Sequence, residues 1–438
     1  MRDGKTAAAR AFFLALLLGM AWLAVMSPLS IPDEEYHYRV SYCLSNYLLG
    51  QWDAPTLGYE RYFDFTSLRG HYNVPEGYTR LFGEILPTAP RGKLIPVLEG
   101  IPRVYLPMYL PQTLGLALGR ALDLGFGGVF LLGRLGNLAF YALCLALAVR
   151  LAPAYKSALL TAGLLPMALH QAASFSYDPF LNGMALIFFA ALLRCMTGQG
   201  PMTKKEYGCL LVSAALLAPA KGACVPLLFL VWRISAARFS SPGDRRRRLW
   251  GLLGVCALTM ALFFLPTVSR QMGGALNWEG ERNYTLAFAL GHPLRVAGIF
   301  ERTLRREGPH WLRCMAGQSL AGLTLSLPKW ISTALLLLLP LAGTPEGMPP
   351  DAKTRAAFAA AAAGMVLLSM TVMFFTWTSD TRDVIQGVQG RYFLSAAAPL
   401  SVALSPPKRW KHENAALLVL LLMCHGAALL HVLRYTFA

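Results

Sequence analysis

Long apolar segments alternate with short polar ones along most of the chain. The apolar segments occupy residues 11–29, 128–149, 157–173, 179–196, 208–219, 222–233, 249–267, 319–341, 355–377, 391–405 and 414–433. Most of them approach the ~20 residues that an α-helix needs to cross a bilayer. The pattern predicts an all-α polytopic membrane protein with about eleven transmembrane helices.

Two parts of this pattern leave alternatives open. The stretch 104–121 contains two prolines and Arg120, so it suits a helix lying in the membrane interface as well as one that crosses. The segments 208–219 and 222–233 are each too short to cross alone. The break between them at Lys221-Gly222 predicts a re-entrant pair whose tip lines a cavity, with one kinked span as the alternative.

The distribution of charged residues predicts which side of the membrane each loop occupies. The chain is 55% hydrophobic and only 14% charged, with a net charge of +17. Much of the basic excess falls in short loops, including Arg245–Arg248, which positive-inside topology explains without a nucleic-acid partner. This distribution favours 104–121 on the surface. The cations Arg2, Lys5 and Arg10 precede an uncleaved first span, which predicts a cytoplasmic N-terminus.

The resulting layout is a single membrane domain over residues 1–438. Its parts are a first span at 11–29, an outer loop with interfacial helices at 30–127, spans two to seven at 128–267, a second outer loop at 268–318 and C-terminal spans at 319–438. The second loop holds Trp278 and Trp311 with several arginines. They could stack on sugar faces above a site, but interfacial anchoring is the commoner role of such residues.

Three consecutive acids follow the first span, at Asp33, Glu34 and Glu35. Acids in the first turn of a helix that begins near Pro32 would be stabilised by the helix dipole, which gives a purely structural explanation. The functional alternative is that Asp33 and Glu34 face a cavity at the membrane surface, where one of them acts as a general base. His37 falls on the same helical face as Asp33 and could orient a carboxylate or a metal.

Four further polar residues stand where a membrane makes them costly. Asp178 precedes Pro179, so it fits an N-cap, a functional acid or both. Lys221 needs an anion such as a phosphate unless it reaches the interface. Arg391 follows two glycines at the entrance of a predicted span, where a rigid guanidinium could bind an anion. Arg134 lies inside a predicted span and needs a partner, for which Asp123 and Asp33 are the candidates.

Taken in order, these residues resemble the GT-C superfamily of polytopic glycosyltransferases, and most closely a bacterial membrane family known as a domain of unknown function. The likeness rests on Pro32-Asp33-Glu34 with His37, Tyr109-Leu110-Pro111, Gly133–Asn137, Leu165-Pro166-Met167, Ser174–Asp178, Lys221-Gly222 and Val388–Leu394. It implies a GT-C-like fold in the bacterial inner membrane. It also implies inverting transfer of a sugar from a polyprenyl-phosphate donor to a glycan, lipid or protein acceptor on the outer face.

The resemblance also implies roles for single residues. Asp33 would deprotonate the acceptor hydroxyl, although Glu34 is an alternative base, and Asp178 would be the second acid. These three carboxylates could share one Mg²⁺ or Mn²⁺. Lys221 and Arg391 would hold the lipid phosphate, and the further substrate-binding residues are His37, Arg134, Gln389 and Tyr392.

Two other functions remain open from the sequence. The same cavity could serve a flippase or another transporter of lipid-linked saccharides, although no internal repeat of the transporter kind is evident. A catalytically inactive GT-C scaffold would keep the fold without the reaction. Soluble nucleotide chemistry is disfavoured because the sequence has no Walker A motif, GxSxG elbow, HExxH motif or Rossmann fingerprint.

Overall fold

The computed structural model describes residues 2–51, 58–61, 75–80, 83, 94–98, 104–265, 276, 280–344, 350–406 and 413–437. Most of these residues are helical. The α-helices are α1 (Arg2–Val25), α2 (Glu34–Leu48), α3 (Pro75–Arg80), α4 (Leu110–Ala121), α5 (Phe126–Leu151), α6 (Lys156–Gly163), α7 (Pro166–Ala172), α8 (Asp178–Thr197), α9 (Lys204–Leu217), α10 (Val225–Leu228), α11 (Pro242–Phe263), α12 (Leu286–Gly291), α13 (Pro293–Ala316), α14 (Lys329–Ala342), α15 (Ala352–Thr376), α16 (Ala397–Ala403) and α17 (Glu413–Phe437).

Short elements connect the helices. Turns of 3₁₀ helix lie at Leu106–Tyr109, Gly222–Cys224, Phe229–Arg233, Ala236–Arg238 and Gly390–Ala396. Strands β1 (Gly58–Arg61) and β2 (Leu94–Leu98) pair antiparallel, with Tyr59 opposite Pro96. Strands β3 (Ser319–Leu320) and β4 (Leu325–Ser326) form a second antiparallel pair, with Ser319 opposite Ser326.

Five helices in the described part of the chain are long and apolar enough to cross a membrane. They are Gly4–Val25, Phe126–Leu151, Asp178–Thr197, Ala352–Thr376 and Ala415–Phe437. The predicted count of eleven spans is not confirmed. Several predicted spans are broken helices: 157–173 divides at Pro166 into α6 and α7, and 391–405 consists of a 3₁₀ turn followed by α16. Proline lacks the amide hydrogen that a continuous helix needs, so it breaks the first of these.

The ambiguous segment 104–121 forms a short helix, α4, that packs against α5. Its 12 residues span only ~18 Å, too little to cross a hydrocarbon core of ~30 Å. A stripe of exposed leucines runs from the preceding 3₁₀ turn to the end of this helix, at Leu106, Leu110, Leu114, Leu118 and Leu122. On the other side, a Cβ added to Gly115 would lie 2.1 Å from the carbonyl oxygen of Leu132. The dimensions fit the surface helix and not the crossing one.

Residues 204–238 form a hairpin that turns at Lys221. Its two ends meet: the amide of Met202 donates to the carbonyl of Arg238 at 2.6 Å, and the Arg238 guanidinium lies 3.0 Å from the Glu206 carboxylate. Arg238 also donates to the carbonyl of Cys195, near the C-terminal end of α8. The chain therefore enters and returns on one side, as predicted for a re-entrant pair, and one kinked span does not describe it.

Candidate active site

Asp33 lies immediately before α2 in a left-handed backbone conformation, with φ of 61°. Aspartate tolerates this conformation better than most residues, yet it is uncommon and concentrates at functional positions. The Asp33 side chain is 64% exposed, and one carboxylate oxygen accepts a hydrogen bond from the Arg391 guanidinium at 3.2 Å. An acid held by one partner and open on its other side is accessible to a substrate.

Arg391 connects two acids from distant parts of the chain. Besides Asp33, its guanidinium lies 3.8 Å from the carboxylate of Asp178. Burial alone would lower the pKa of Arg391, but the carboxylates of Asp178 and Asp33 raise that pKa above its ordinary value. Its position is fixed by Gly390, where an added Cβ would lie 2.3 Å from the carbonyl oxygen of Trp311. Arg391 therefore stays charged and is held against α13.

Asp178 is the first residue of α8 and is only 3% exposed. The prediction that it caps this helix is wrong, because Tyr177 occupies the cap position and no side-chain cap hydrogen bond is formed. The carboxylate still lies in the first turn, where the helix dipole favours negative charge. Its own amide donates to the Ser176 hydroxyl at 3.1 Å, so the preceding loop fixes where the acid points.

Glu34, the neighbour of Asp33, is sealed inside the protein. Arg134 donates to both of its carboxylate oxygens, at 2.8 and 2.7 Å, and the amide of Phe175 donates to one of them at 3.1 Å. The predicted partners of Arg134, Asp123 and Asp33, are therefore wrong. With 1% exposure and its oxygens occupied, Glu34 has no open face for an acceptor hydroxyl. Arg134 is likewise sealed, because it also donates to the carbonyls of residues 26 and 27.

The Gly133–Asn137 motif fixes the loop that leads to Asp178. The Asn137 amide group donates to the carbonyls of Ser174 and Ser176, both at 2.7 Å. A Cβ on Gly133 would lie 2.1 Å from the Phe175 ring, so only glycine allows this approach. Together with the bond from the Phe175 amide to Glu34, these contacts make the motif a support for the site. It does not belong to the reacting surface.

Lys221 reaches the same cluster from the tip of the hairpin. Its ammonium lies 3.6 Å from the centre of the Tyr392 ring, and the Arg391 guanidinium lies 5.7 Å from the same centre. Among the described residues the buried ammonium has no hydrogen-bond partner. The alternative in which Lys221 extends its ammonium to the membrane interface is therefore wrong. A buried cation supported mainly by an aromatic face is poised to bind an anion.

His37 lies behind the acids among aromatic rings. Its Nδ1 and the Tyr109 hydroxyl are 2.9 Å apart, and its ring lies 5.1 Å from that of Tyr177. Burial lowers the pKa of His37 to about 4, against the opposite effect of Asp178 and Asp33. Burial also raises the pKa of Tyr109 and of Tyr177. At neutral pH the side chains of His37, Tyr109 and Tyr177 are uncharged, and they can position neighbouring groups through hydrogen bonds.

A cavity of about 250 Å³ opens beside Arg391. Its polar lining includes Gln389, as predicted, and also His170, Gln171, His310 and Ser319, which the sequence reasoning missed. The buried side-chain oxygens of Gln171 and Gln389 have no hydrogen-bond partner among the described residues. His170 and Gln171 could have been identified from the sequence, because they are adjacent polar residues in an otherwise apolar helix.

Trp311 also lines this cavity, and it is 4% exposed with its ring 6.0 Å from that of Phe393. Interfacial anchoring is therefore not its role, because its ring is enclosed by protein. Trp278, the other tryptophan singled out in the second outer loop, lies outside the described residues. Helix α13 thus closes one side of the cavity, which agrees with the less favoured alternative, in which residues of this loop lie above a site.

A divalent metal shared by Asp33, Glu34 and Asp178 does not fit this arrangement. Within the described residues no group of three His, Cys, Asp or Glu side chains is placed to hold a metal ion. Glu34 is committed to Arg134, and the other two acids face the cationic Arg391.

The geometry thus gathers predicted residues from four separate segments. Asp33, Asp178 and Arg391 are in direct contact, Lys221 joins them through Tyr392, and His37 and Gln389 lie at the margins. Glu34 and Arg134 form a separate buried pair. An exposed carboxylate beside two buried cations has the parts for proton removal from one group and stabilisation of an anion on another.

Comparisons with known proteins give a family and no activity. A family model described as "Predicted membrane protein (DUF2142)" matches residues 90–400, which is more than half of the chain. The chain belongs to this family. No curated protein and no solved structure matches it.

Proposed function

We propose that this member of the DUF2142 family is an inverting glycosyltransferase. It would transfer a sugar from a polyprenyl-phosphate donor to a cell-envelope acceptor at the outer face of the bacterial inner membrane. The observation that supports this most directly is the cluster of Asp33, Asp178, Arg391 and Lys221, in which one acid is exposed and both cations are buried. The N-terminus then lies in the cytoplasm, and the cluster lies at the opposite side.

Asp33 is the proposed general base. When the acceptor oxygen attacks C1 of the donor sugar, the bond from C1 to the phosphate oxygen breaks, and the acceptor proton passes to the Asp33 carboxylate. Its 64% exposure leaves one side of the carboxylate open to the acceptor hydroxyl, while Arg391 fixes the other side. A positioned base typically contributes 10²–10⁴-fold to such a rate.

Lys221 and Arg391 are the proposed phosphate ligands. The leaving group is a lipid phosphate that gains negative charge as the glycosidic bond breaks, so cations near it stabilise the transition state. Lys221 is the stronger candidate for direct contact, since its ammonium has no hydrogen-bond partner among the described residues. Arg391 already touches two carboxylates and would serve both the phosphate and the base.

The adjacent cavity is the proposed place for a sugar ring. Its volume of about 250 Å³ is many times the ~10–15 Å³ that a single buried water needs. Gln171 and Gln389 supply hydrogen-bond acceptors for hydroxyl groups, and Trp311 supplies an apolar face. The amide groups of Gln171 and Gln389 beside the Trp311 ring suit the hydroxyl groups and the apolar face of a sugar. Arg391 at the edge of the cavity would place this sugar next to its phosphate.

The test is reconstitution of the full chain in vesicles, preceded by mass spectrometry of lipids that co-purify with it. A co-purifying polyprenyl-phosphate sugar identifies the donor to supply, and a new glycosidic product supports the proposal. Asp33→Asn should reduce product formation ~10²–10⁴-fold. Asp123→Asn changes an exposed acid outside the catalytic cluster; it serves as the control and should keep normal product formation. Normal transfer by Asp33→Asn removes Asp33 from the mechanism.

Two other results would replace the proposal. Movement of the lipid-linked saccharide across the vesicle membrane without any product would indicate a flippase. Neither product nor movement with the identified lipid, together with an unchanged cellular phenotype of Asp33→Ala, would indicate a scaffold that has the fold without the reaction.

A further inference from the structure

A second cavity lies far from the catalytic cluster, around the start of α11. It has a volume of about 510 Å³ and is lined by Trp232, Trp250, Arg245 and Arg246, with Phe239 and Leu249 at its apolar floor. Arg248 donates to the carbonyl of Met202, and the hairpin containing Trp232 ends beside Cys195. This cavity is therefore near the C-terminal end of α8, whereas Asp178 begins that helix.

The length of α8 separates the two sites by about the thickness of a membrane. Its 20 residues correspond to ~30 Å, which is the thickness of a typical hydrocarbon core. The four consecutive arginines of α11 are at the end away from the catalytic cluster, and such runs mark the cytoplasmic surface. The second cavity thus lies where lipid headgroups meet the protein.

The four arginines of this run are not equivalent. Asp244 accepts hydrogen bonds from Arg247 and Arg248, both at 3.0 Å. Arg245 and Arg246, which line the cavity, have no ion pair with any acid in the described part of the chain. The Nε of Arg245 is buried and has no hydrogen-bond partner among those residues. Two cations that have no acidic partner within the described residues therefore line one cavity.

The walls of the cavity suit a lipid better than a free anion. The indole rings of Trp232 and Trp250 are 5.5 Å apart in an edge-to-face arrangement, and they are 38% and 58% exposed. Exposed tryptophans are typical of the membrane interface, where one end of the ring is wet and the other apolar. Phe239 and Leu249 supply apolar surface beside the cations.

We propose that this cavity binds the headgroup of an anionic phospholipid, with the phosphate at Arg245 and Arg246 and the glycerol and upper acyl carbons against the two tryptophans. The site is independent of the proposed sugar transfer. Because free phosphate offers the same anion, the experiment below separates the two sources.

The full-length protein is reconstituted in an equimolar mixture of phosphatidylglycerol and phosphatidylcholine and re-extracted, and its retained lipids are quantified by mass spectrometry. We expect enrichment of phosphatidylglycerol by the unmodified protein. Arg246→Gln should reduce the apparent affinity for it about fivefold, and Arg245→Gln with Arg246→Gln should abolish the enrichment. Arg247→Gln is the matched control, because it removes the same charge from an adjacent arginine that Asp244 engages.

Several outcomes would overturn the proposal. Equal losses for Arg246→Gln and Arg247→Gln would show general attraction to a charged surface, and no enrichment by the unmodified protein would show no site. Displacement of phosphatidylglycerol by added inorganic phosphate would assign the site to the free anion. Trp250→Ala keeps both cations, and unchanged retention by this variant would show that the cavity wall plays no part. A melting temperature for each variant verifies folding.

Discussion

Two acid–arginine pairs whose acids are adjacent in the sequence have different environments in the fold. Glu34 and Arg134 form a closed pair with side-chain exposures of 0% and 3%, and every oxygen of the carboxylate accepts a hydrogen bond. Asp33 and Arg391 form an open pair, in which the acid is 64% exposed and the guanidinium is shared with Asp178. The closed pair is suited to stabilising the fold, and the open pair is suited to contacting a substrate.

The difference shows that the type of residue does not decide its role here. A buried ion pair keeps its place only if its remaining hydrogen-bonding groups are satisfied, which the carbonyls before α2 and the Phe175 amide achieve for Glu34 and Arg134. The Nε of Arg391, by contrast, is buried with no partner among the described residues. Unsatisfied groups beside an open acid leave interactions for a substrate to complete.

The largest expected difference between the pairs is in stability. Glu34→Gln leaves the Arg134 charge buried without its counterion, so we expect a loss of ~3–5 kcal/mol in the free energy of unfolding. Glu35→Gln is the matched control: it breaks only an exposed pair with Arg39 and should cost no more than ~0.5 kcal/mol. Thermal unfolding in detergent measures both. Equal stability of the two variants would contradict the structural role of Glu34.

Next in size is the loss of donor binding when Lys221 is removed. Lys221→Ala should weaken binding of the polyprenyl-phosphate donor ~10–100-fold, since a hydrogen bond to a charged group is worth ~1.5–3 kcal/mol. Acceptor binding should change little. Lys353→Ala, which removes an exposed cation at the start of α15, is the control and should leave both unchanged. Equal losses for donor and acceptor would argue against a phosphate contact.

The smallest expected effect concerns His37 and pH. Its pKa is lowered from 6.5 to about 4 in the folded protein, so the unfolded chain binds the proton more strongly. The stabilisation is therefore complete above pH ~6.5 and is lost as pH falls towards about 4. At pH 5.5 this single group should cost on the order of 1 kcal/mol of stability.

Unfolding measured at pH 7 and at pH 5.5 tests this prediction. His37→Gln has no titratable ring and should lack this part of the pH dependence. If the variant and the unmodified protein lose the same stability on acidification, the histidine is not the group that titrates.

Much of the site was predictable, because polar residues in a membrane protein are few and each has a cost. Asp33, Asp178, Lys221 and Arg391 stand out in the sequence for this reason, and the structure brings them together. The partner of Arg134 was not predictable, because the sequence does not show whether Asp33 or its neighbour Glu34 turns into the protein. His170 and Gln171 were missed although two adjacent polar residues in an apolar helix mark a polar environment; only the tertiary structure shows which cavity they line.

The sequence predicts the helical membrane fold class correctly, but the predicted number of transmembrane helices is not confirmed. Hydropathy identifies the five long apolar helices, but it does not distinguish a crossing helix from buried helices that are interrupted. Pro166 and the 3₁₀ turn at Gly390–Ala396 divide two apolar stretches into pieces too short to cross. Apolar residues are equally stable against lipid and against protein, so composition alone cannot tell which one surrounds them.

The sequence by itself determined that this is a helical membrane protein, because long apolar segments have no other stable arrangement in a bilayer. It also determined which ionisable groups had to find partners. Tertiary structure alone decided which acid became sealed and which stayed open. Asp33 lies before α2 in a left-handed conformation and Glu34 is the first residue of the helix. Distant segments close over Glu34 and leave Asp33 exposed.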